Sequence, residues 1–289
     1  MVKNMNPTLS VITPTYNCFQ YISRSYKNLC AQTFTDWEWV IVNDGSTDAT
    51  KELINNISAN DKRVKVYHFD VNKGRGAGRE FAINKSNSDC IVIWDVDDLY
   101  HPSRLELVYN SLILKGLDFF CSYALVVTND FEIKGGRHFY HNSEQAPSFV
   151  HPTLAFNKSK INLDYFYDIT MKAGEDFRLM MILDKDYKGE YCEKYLMLYF
   201  EDREVNISKT LLVYKSHLRS YKSYLKGIEY SFISVFFRLT KMRIKMLMLK
   251  ALSPFPKIYL KTVKYRNKSL VDMKLLNEPL VSLALEYKK

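Results

Sequence analysis

Three carboxylates fall within four positions in Asp95-Val96-Asp97-Asp98, directly after the apolar run 90–94. A buried segment that ends in clustered acids sets like charges side by side, an arrangement relieved when a cation sits among them. A hard metal ion is the usual cation for such a cluster, and a phosphate is the usual partner of that metal. The competing reading is a solvated acidic turn, since Asp is common in turns. The remainder of the chain decides between the two.

The elements that must position these acids show as alternation over the first 125 residues. Residues 9–12, 37–42, 64–69 and 90–94 read as short apolar strands. Between them lie helix-period segments carrying Tyr21, Ile22, Tyr26 and Leu29, then Leu53, Ile54 and Ile57, then Phe81 and Ile83. A further helix is expected to open at Pro102-Ser103, with Ser103 as its N-cap, and to run through Leu112. Such alternation predicts an α/β fold with a mostly parallel sheet flanked by helices on both faces. In such sheets ligands bind beyond the carboxyl ends of the strands. Three of the four strand ends are polar: Thr13-Pro14-Thr15-Tyr16-Asn17, Asn43-Asp44-Gly45-Ser46-Thr47-Asp48, and the acidic cluster. Their common place on one rim favours a shared site over three unrelated turns. Residues 128–150, rich in Gly, His, Asn and Ser, read as a long functional loop. Helical periodicity resumes after Gly174-Glu175-Asp176, and residues 196–200 and 211–214 read as two further strands.

The chain has 289 residues, 47% of them hydrophobic, enough to bury a large core. Its five cysteines are scattered, with no Cys-x-x-Cys pair, which suits buried free thiols in a reducing compartment. The first eight residues lack the apolar stretch of a signal peptide, and no run of 18 apolar residues occurs. A cytoplasmic protein is expected, peripheral on the inner face of the plasma membrane. The net charge of +9 is uneven: residues 1–200 carry 22 basic and 25 acidic side chains, residues 201–289 carry 19 and 7. From His217 onward, residues such as Phe232, Phe236, Ile244 and Leu247 interleave with Arg238, Lys241, Arg243, Lys245 and Lys250. That pattern is expected of helices lying on an anionic membrane surface. Nucleic acid is not an expected partner. Tyr259 and Tyr265 stand among Lys261, Lys264 and Arg266, but no nucleic-acid module appears around them.

Taken in order, the segments 9–17, 43–48 and 95–98 strongly resemble the family 2 glycosyltransferases of the GT-A fold. The resemblance covers about residues 9–218. It implies a Rossmann-like, mostly parallel sheet flanked by helices, with a nucleotide-sugar half (1–127) and an acceptor half (128–218). Residues 219–289 then form a basic, amphipathic helical extension. The implied activity is an inverting, metal-dependent transfer from a nucleotide diphosphate sugar, with uracil the expected base, to a hydroxyl of a glycan or glycolipid in surface polysaccharide biosynthesis. The alternatives are a polyprenyl-phosphate glycosyltransferase or a non-catalytic sugar-nucleotide-binding protein.

The resemblance also implies roles for residues. Asp44 hydrogen-bonds the base of the donor, and a carboxylate facing an imide N–H suits uracil. Thr13, Pro14, Thr15 and Asn17 lie along the base and ribose. In Asn72-Lys73-Gly74-Arg75-Gly76-Ala77-Gly78-Arg79, glycines admit the ligand to the backbone and Arg79 pairs with a phosphate or with Asp44. The family usually has Ala where this chain has Gly78. Asp95, Asp97 and Asp98 match the acidic motif, with ribose and metal contacts shared between Asp97 and Asp98. The metal is Mn²⁺ or Mg²⁺, and His217 completes its shell. Lys215 stands near the diphosphate, where the family often has Arg. Asp176 is the catalytic base, with Glu175 in reserve. His151 borders the acceptor pocket.

Overall fold

The computed structural model describes residues 6–139, 147, 149–171, 173–201, 207–225, 232–255 and 280. Four strands, β1 (Leu9–Thr15), β2 (Trp37–Asp44), β3 (Val64–Phe69) and β4 (Cys90–Ile93), pair in parallel in the order β3-β2-β1-β4. Every residue of β2 is buried, as befits a parallel strand covered on both faces. Its one acid in mid-strand, Glu38, is held by hydrogen bonds. The Ser10 hydroxyl and the Asn87 backbone N–H donate to Oε1, each at 2.6 Å, and the Asn87 side-chain amide to Oε2 at 2.6 Å.

Alternation along these strands sends successive side chains into two cores. Val11, Trp39, Val92 and Trp94 pack with α1 (Phe19–Cys30), α2 (Thr50–Asn60) and α4 (Arg104–Tyr109). Ile12, Val40, Val42 and Ile93 pack on the other face with α3 (Arg75–Lys85) and α5 (Phe177–Asp186). Ser103 does stand at the N-cap position of α4, but its hydroxyl pairs with Nδ1 of His101 (2.8 Å) instead of capping. The helix continues into a wide turn at Asn110–Leu114.

Beyond β4 the sheet turns mixed. In order come β8 (Ala155–Asn157), β6 (Phe119–Val127), β9 (Gly189–Phe200) and β5 (Leu99–Tyr100). β8 is antiparallel to both neighbours, β6 and β9 are parallel, and β5 is antiparallel to β9. Chain-adjacent β4 and β5 are thus separated by three strands. A flat sheet puts four inter-strand steps, about 19 Å, between them. Six residues fully extended reach only about 20 Å, and residues 96–98 turn. The sheet must therefore curl to bring β5 back over the acidic loop.

Two expectations are corrected. Residues 128–150 are not all loop: β7 (Ile133–Arg137) pairs antiparallel with β6, while residues 140–146 and 148 lie outside the described set. Residues 211–214 form no strand; they lie within α6 (Ile207–Leu225). A four-residue apolar run cannot tell strand from helix, and here Ser216 and Ser220, four apart, are buried on one helical face. The last described helix is α7 (Phe232–Leu252). No described helix is long and apolar enough to cross a membrane.

Candidate active site

β1 is the point where strand order reverses, with β2 on one side and β4 on the other, and the crevice outside its carboxyl end is where such sheets bind ligands. A pocket of about 520 Å³ opens there. One wall is Pro14 and Thr15 at the end of β1 and Tyr16 just after it, together with Asp44 at the end of β2 and Asn72 and Gly74 before α3. Asp44 organises this wall: its carboxylate accepts the backbone N–H of Lys73 (2.7 Å) and of Gly74 (2.9 Å). Gly74 has φ +92°, a conformation that favours glycine, as it turns the chain into α3.

The floor is the acidic loop, with Asp95, Val96, Asp97 and Asp98 all lining the pocket. Asp98 is buried and its Oδ1 accepts the N–H of Phe200 (3.0 Å), so the end of β9 fixes it. The Arg24 guanidinium donates to the backbone carbonyl of Asp97 (2.9 Å) and lies 4.9 Å from the Phe200 ring. Asp95 is bound differently. Arg79, buried in α3, donates from Nη2 to Asp95 (2.9 Å) and from Nη1 to Glu175 (2.9 Å). Burial alone would weaken the Arg79 charge, but the surrounding acids Asp95, Glu175 and Asp176, with Tyr167, hold the guanidinium protonated, above its ordinary value. Burial would raise Asp95, yet Arg79 holds it below the usual carboxylate range.

The far wall carries His151 and Asp176. Asp176 is half-buried at the N-cap position of α5. Burial, then the charge of neighbouring Glu175, push its carboxyl up to about 6, against the pull of Arg79 and Arg75. A carboxylate with that value is a better proton acceptor than an ordinary aspartate and is still ionised at neutral pH. Glu175 is engaged elsewhere, by Arg79 and by Nε of Arg75 at 3.5 Å. His151 is buried, and burial and nearby Arg79 hold it well below its ordinary value, hence neutral; its Nε2 pairs with the Tyr167 hydroxyl (2.7 Å).

Of the residues singled out from sequence, Pro14, Thr15, Asp44, Arg79, Asp95, Asp97, Asp98, His151 and Asp176 line this one pocket. Others do not. Thr13 is buried, donating to the Trp94 carbonyl (2.6 Å) and accepting from the Trp39 indole (2.8 Å). Asn17, at φ +51°, accepts the Thr47 N–H (2.8 Å) and stitches the first strand-end loop to the second. Arg79 pairs with Asp95 and Glu175, not with Asp44. His217 stacks on Phe177 (4.2 Å between ring centres) beside Gly174, and Lys215 is exposed on α6; neither is among the lining residues.

The site fits a metal only in a particular way. Among the described residues no three His, Cys, Asp or Glu side chains converge to hold an ion by themselves. Asp97 and Asp98 do open onto the same pocket, and one or two carboxylates with substrate phosphates supplying the other oxygens is a common way to hold Mg²⁺. These two carboxylates therefore fit a metal shared with a bound diphosphate, not an all-protein cage.

Sequence reasoning gave no role to Arg75, Tyr199 or Phe200, all of which line the pocket. It also missed Arg104, buried, which donates to the carbonyls of Ile93 (3.0 Å) and Pro152 (3.1 Å) and so ties the end of β4 to the turn at His151–Thr153. Only Arg75 had a local signal, lying in a basic Gly-rich segment; the others reach the site from β9 and α4, remote in sequence.

Comparisons with known proteins bear on the family and the fold. The profile described as Glycosyl transferase family 2 matches residues 10–173. An uncharacterised glycosyltransferase of Haemophilus influenzae is 34% identical over 182 residues, 61% of this chain and 62% of the relative. The Bacillus subtilis glycosyltransferase TuaG, named for teichuronic acid biosynthesis, is 30% identical over 124 residues, 43% of this chain and 49% of the relative. The chain thus spans between about half and three fifths of the length of these relatives. Among solved structures, residues 1–349 of S. aureus TarS in complex with UDP-GlcNAc superpose with a TM-score of 0.60 at 22% identity, covering 75% of this chain and 66% of that one. The mannosyltransferase PcManGT of Pyrobaculum calidifontis, solved with GDP-Man and Mn²⁺, superposes with a TM-score of 0.59 at 14% identity, covering 99% of this chain and 85% of that protein. At these identities both establish the fold.

Proposed function

The chain belongs to glycosyl transferase family 2, and from that premise we propose that it transfers a sugar from a nucleotide diphosphate sugar to an acceptor hydroxyl, with inversion at the anomeric carbon. The observation that carries this reading is the convergence of Asp44, the loop Asp95 to Asp98, and Asp176 on one pocket at the strand ends. Its volume, about 520 Å³, lies in the ordinary range for small-molecule sites.

The nucleoside lies against Pro14, Thr15 and Asp44, whose geometry the Lys73 and Gly74 amides fix. The diphosphate lies over Asp97 and Asp98. Asp97 and Asp98, with the phosphates, would hold a divalent metal, Mn²⁺ or Mg²⁺, which when bound would supply charge neutralisation to the departing nucleoside diphosphate. The acceptor enters from the side of His151 and Asp176. Its oxygen bonds to the anomeric carbon as the bond from that carbon to the diphosphate oxygen breaks, and its proton passes to Asp176. Glu175 is paired with Arg79 and Arg75 and does not line the pocket, which leaves Asp176 for that task. Neutral His151 borders the acceptor without adding charge. UDP-linked sugar is the proposed donor, supported by the UDP-GlcNAc complex of TarS, and a surface polysaccharide the proposed product, supported by the naming of TuaG.

Thermal unfolding with UDP, GDP, CMP and dTDP, each with and without Mn²⁺, tests the reading. A ligand at a hundred times its dissociation constant adds about 2.7 kcal/mol, enough to raise the midpoint by several degrees. The expected result is a metal-dependent rise with UDP. No rise with any nucleotide would overturn the donor assignment.

A further inference from the structure

α7 (Phe232–Leu252) has two apolar sides, only one of which the fold uses. Met242 and Leu249 are buried, and Met242, with Leu239 beside it, packs into a cluster with Phe177, Met181 and Tyr221 of α5 and α6. On the opposite side Phe236, Phe237, Ile244, Leu247 and Met248 are between 52% and 66% exposed. At about 100° per residue these five fall within roughly one third of the helix circumference. No described residue covers them, and Phe255, just past the helix, is 57% exposed as well. Exposed cations border this strip on both sides: Lys241 and Lys245 along one edge, Arg243 and Lys250 along the other.

We propose that this face is a docking surface for an anionic lipid bilayer, on which α7 lies parallel to the membrane plane. Charge selects that occupant over the alternatives. Residues 230–271 contain ten Lys and Arg and no Asp or Glu, so the strip is matched to a dense negative surface. A second copy of the same face would bring four exposed cations against four more, which like-charge repulsion opposes. An apolar strip bordered by Lys and Arg is the pattern of helices that sink their apolar face to the headgroup boundary. The helix does not cross the bilayer, since no described helix is long and apolar enough. Because α7 packs on α6 and α6 on α5, and α5 begins beside Asp176, docking brings the far wall of the pocket toward the membrane surface. The inference rests on the exposed face alone and stands whether or not the proposed transfer is correct.

Flotation of the full chain with vesicles tests it, using phosphatidylcholine alone and phosphatidylcholine mixed with phosphatidylglycerol, at low and high salt. The expected partition into the phosphatidylglycerol vesicles is about tenfold or more above that into phosphatidylcholine, and falls with salt. The double variant Phe237→Ser/Leu247→Ser loses binding at least about tenfold, while Lys241→Gln/Lys245→Gln lowers the preference for anionic lipid. Both variants keep the wild-type thermal midpoint or exceed it, since the changed side chains are exposed. Equal partition into the two vesicle types, no partition at all, or wild-type binding by the serine variant overturns the proposal. So does a solution dimer that the serine variant dissolves, which would assign the face to a second copy.

Discussion

Glu175 and Asp176 are neighbours in sequence with opposite environments, and the difference sets what each does. Arg79 pairs with Glu175, while burial and the charge of that same glutamate raise Asp176 to about 6. Transfer is therefore expected to fall about tenfold per pH unit below pH 6, as Asp176 takes up its proton. Asp176→Asn should lower transfer about 10²–10⁴-fold, erase that acidic limb, and leave the nucleotide-induced thermal shift in place. Unchanged transfer would put the proton acceptor elsewhere, as for a phosphate acceptor that is already anionic. The linkage has a definite sign: because the folded value lies above the ordinary one of 3.8, ionisation costs the folded state stability as pH rises through about 4 to 6. Asp176→Asn should thus melt higher than wild type at pH 8, by on the order of 1–2 kcal/mol for a half-buried group. Arg79→Met acts in the other direction. It leaves Asp95 without its cation and Glu175 with only the longer contact to Arg75, and a loss of about 3–5 kcal/mol is expected in urea unfolding. These acids were visible in the sequence as strand-end and helix-start residues. That Arg79 serves two of them at once was not, because the partners lie 16 and 96 positions away.

At the scale of elements, α3 shows how a helix can be held by what it lacks. A Cβ added at Gly78 would sit 2.8 Å from Cβ of Pro14, closer than real Cβ atoms approach a neighbour. Replacing a mid-helix glycine with alanine ordinarily gains about 1 kcal/mol, but overpacking costs about 1–3 kcal/mol. Gly78→Ala should therefore destabilise the protein and displace Pro14 within the proposed nucleoside wall, weakening UDP binding about tenfold. A denaturation curve and a nucleotide titration check the two parts separately; a more stable variant would mean that Pro14 yields freely. The parallel strands were legible because they are continuous apolar runs between helix-period segments. β7 and α6 were not. β7 reads Ile-Lys-Gly-Gly-Arg and owes its extended form to pairing with β6, whereas the short apolar run in α6 takes its form from packing between α5 and α7. Thr13 is a similar case within the site: the strand end was right, but Trp39 and Trp94 claim its hydroxyl.

At the scale of the molecule, the order of the strands in space departs from their order in the chain. The four parallel strands are complete by residue 93, and the acids follow at once. Their setting is not complete until residue 200, since Asp98 is held by the Phe200 amide and β5 by β9. The binding pocket must for that reason be among the last features to mature during folding. Contacts closing a span of about a hundred residues form slowly compared with the neighbouring pairings of β1, β2 and β3. In a refolding experiment the fluorescence of buried Trp37 and Trp39 should recover ahead of the ability to bind nucleotide, whereas simultaneous recovery would mean that both halves of the sheet close in one step. A chain still growing from the ribosome would have its first four strands paired while remaining unable to hold a donor, and so could not begin turnover before most of it had been made.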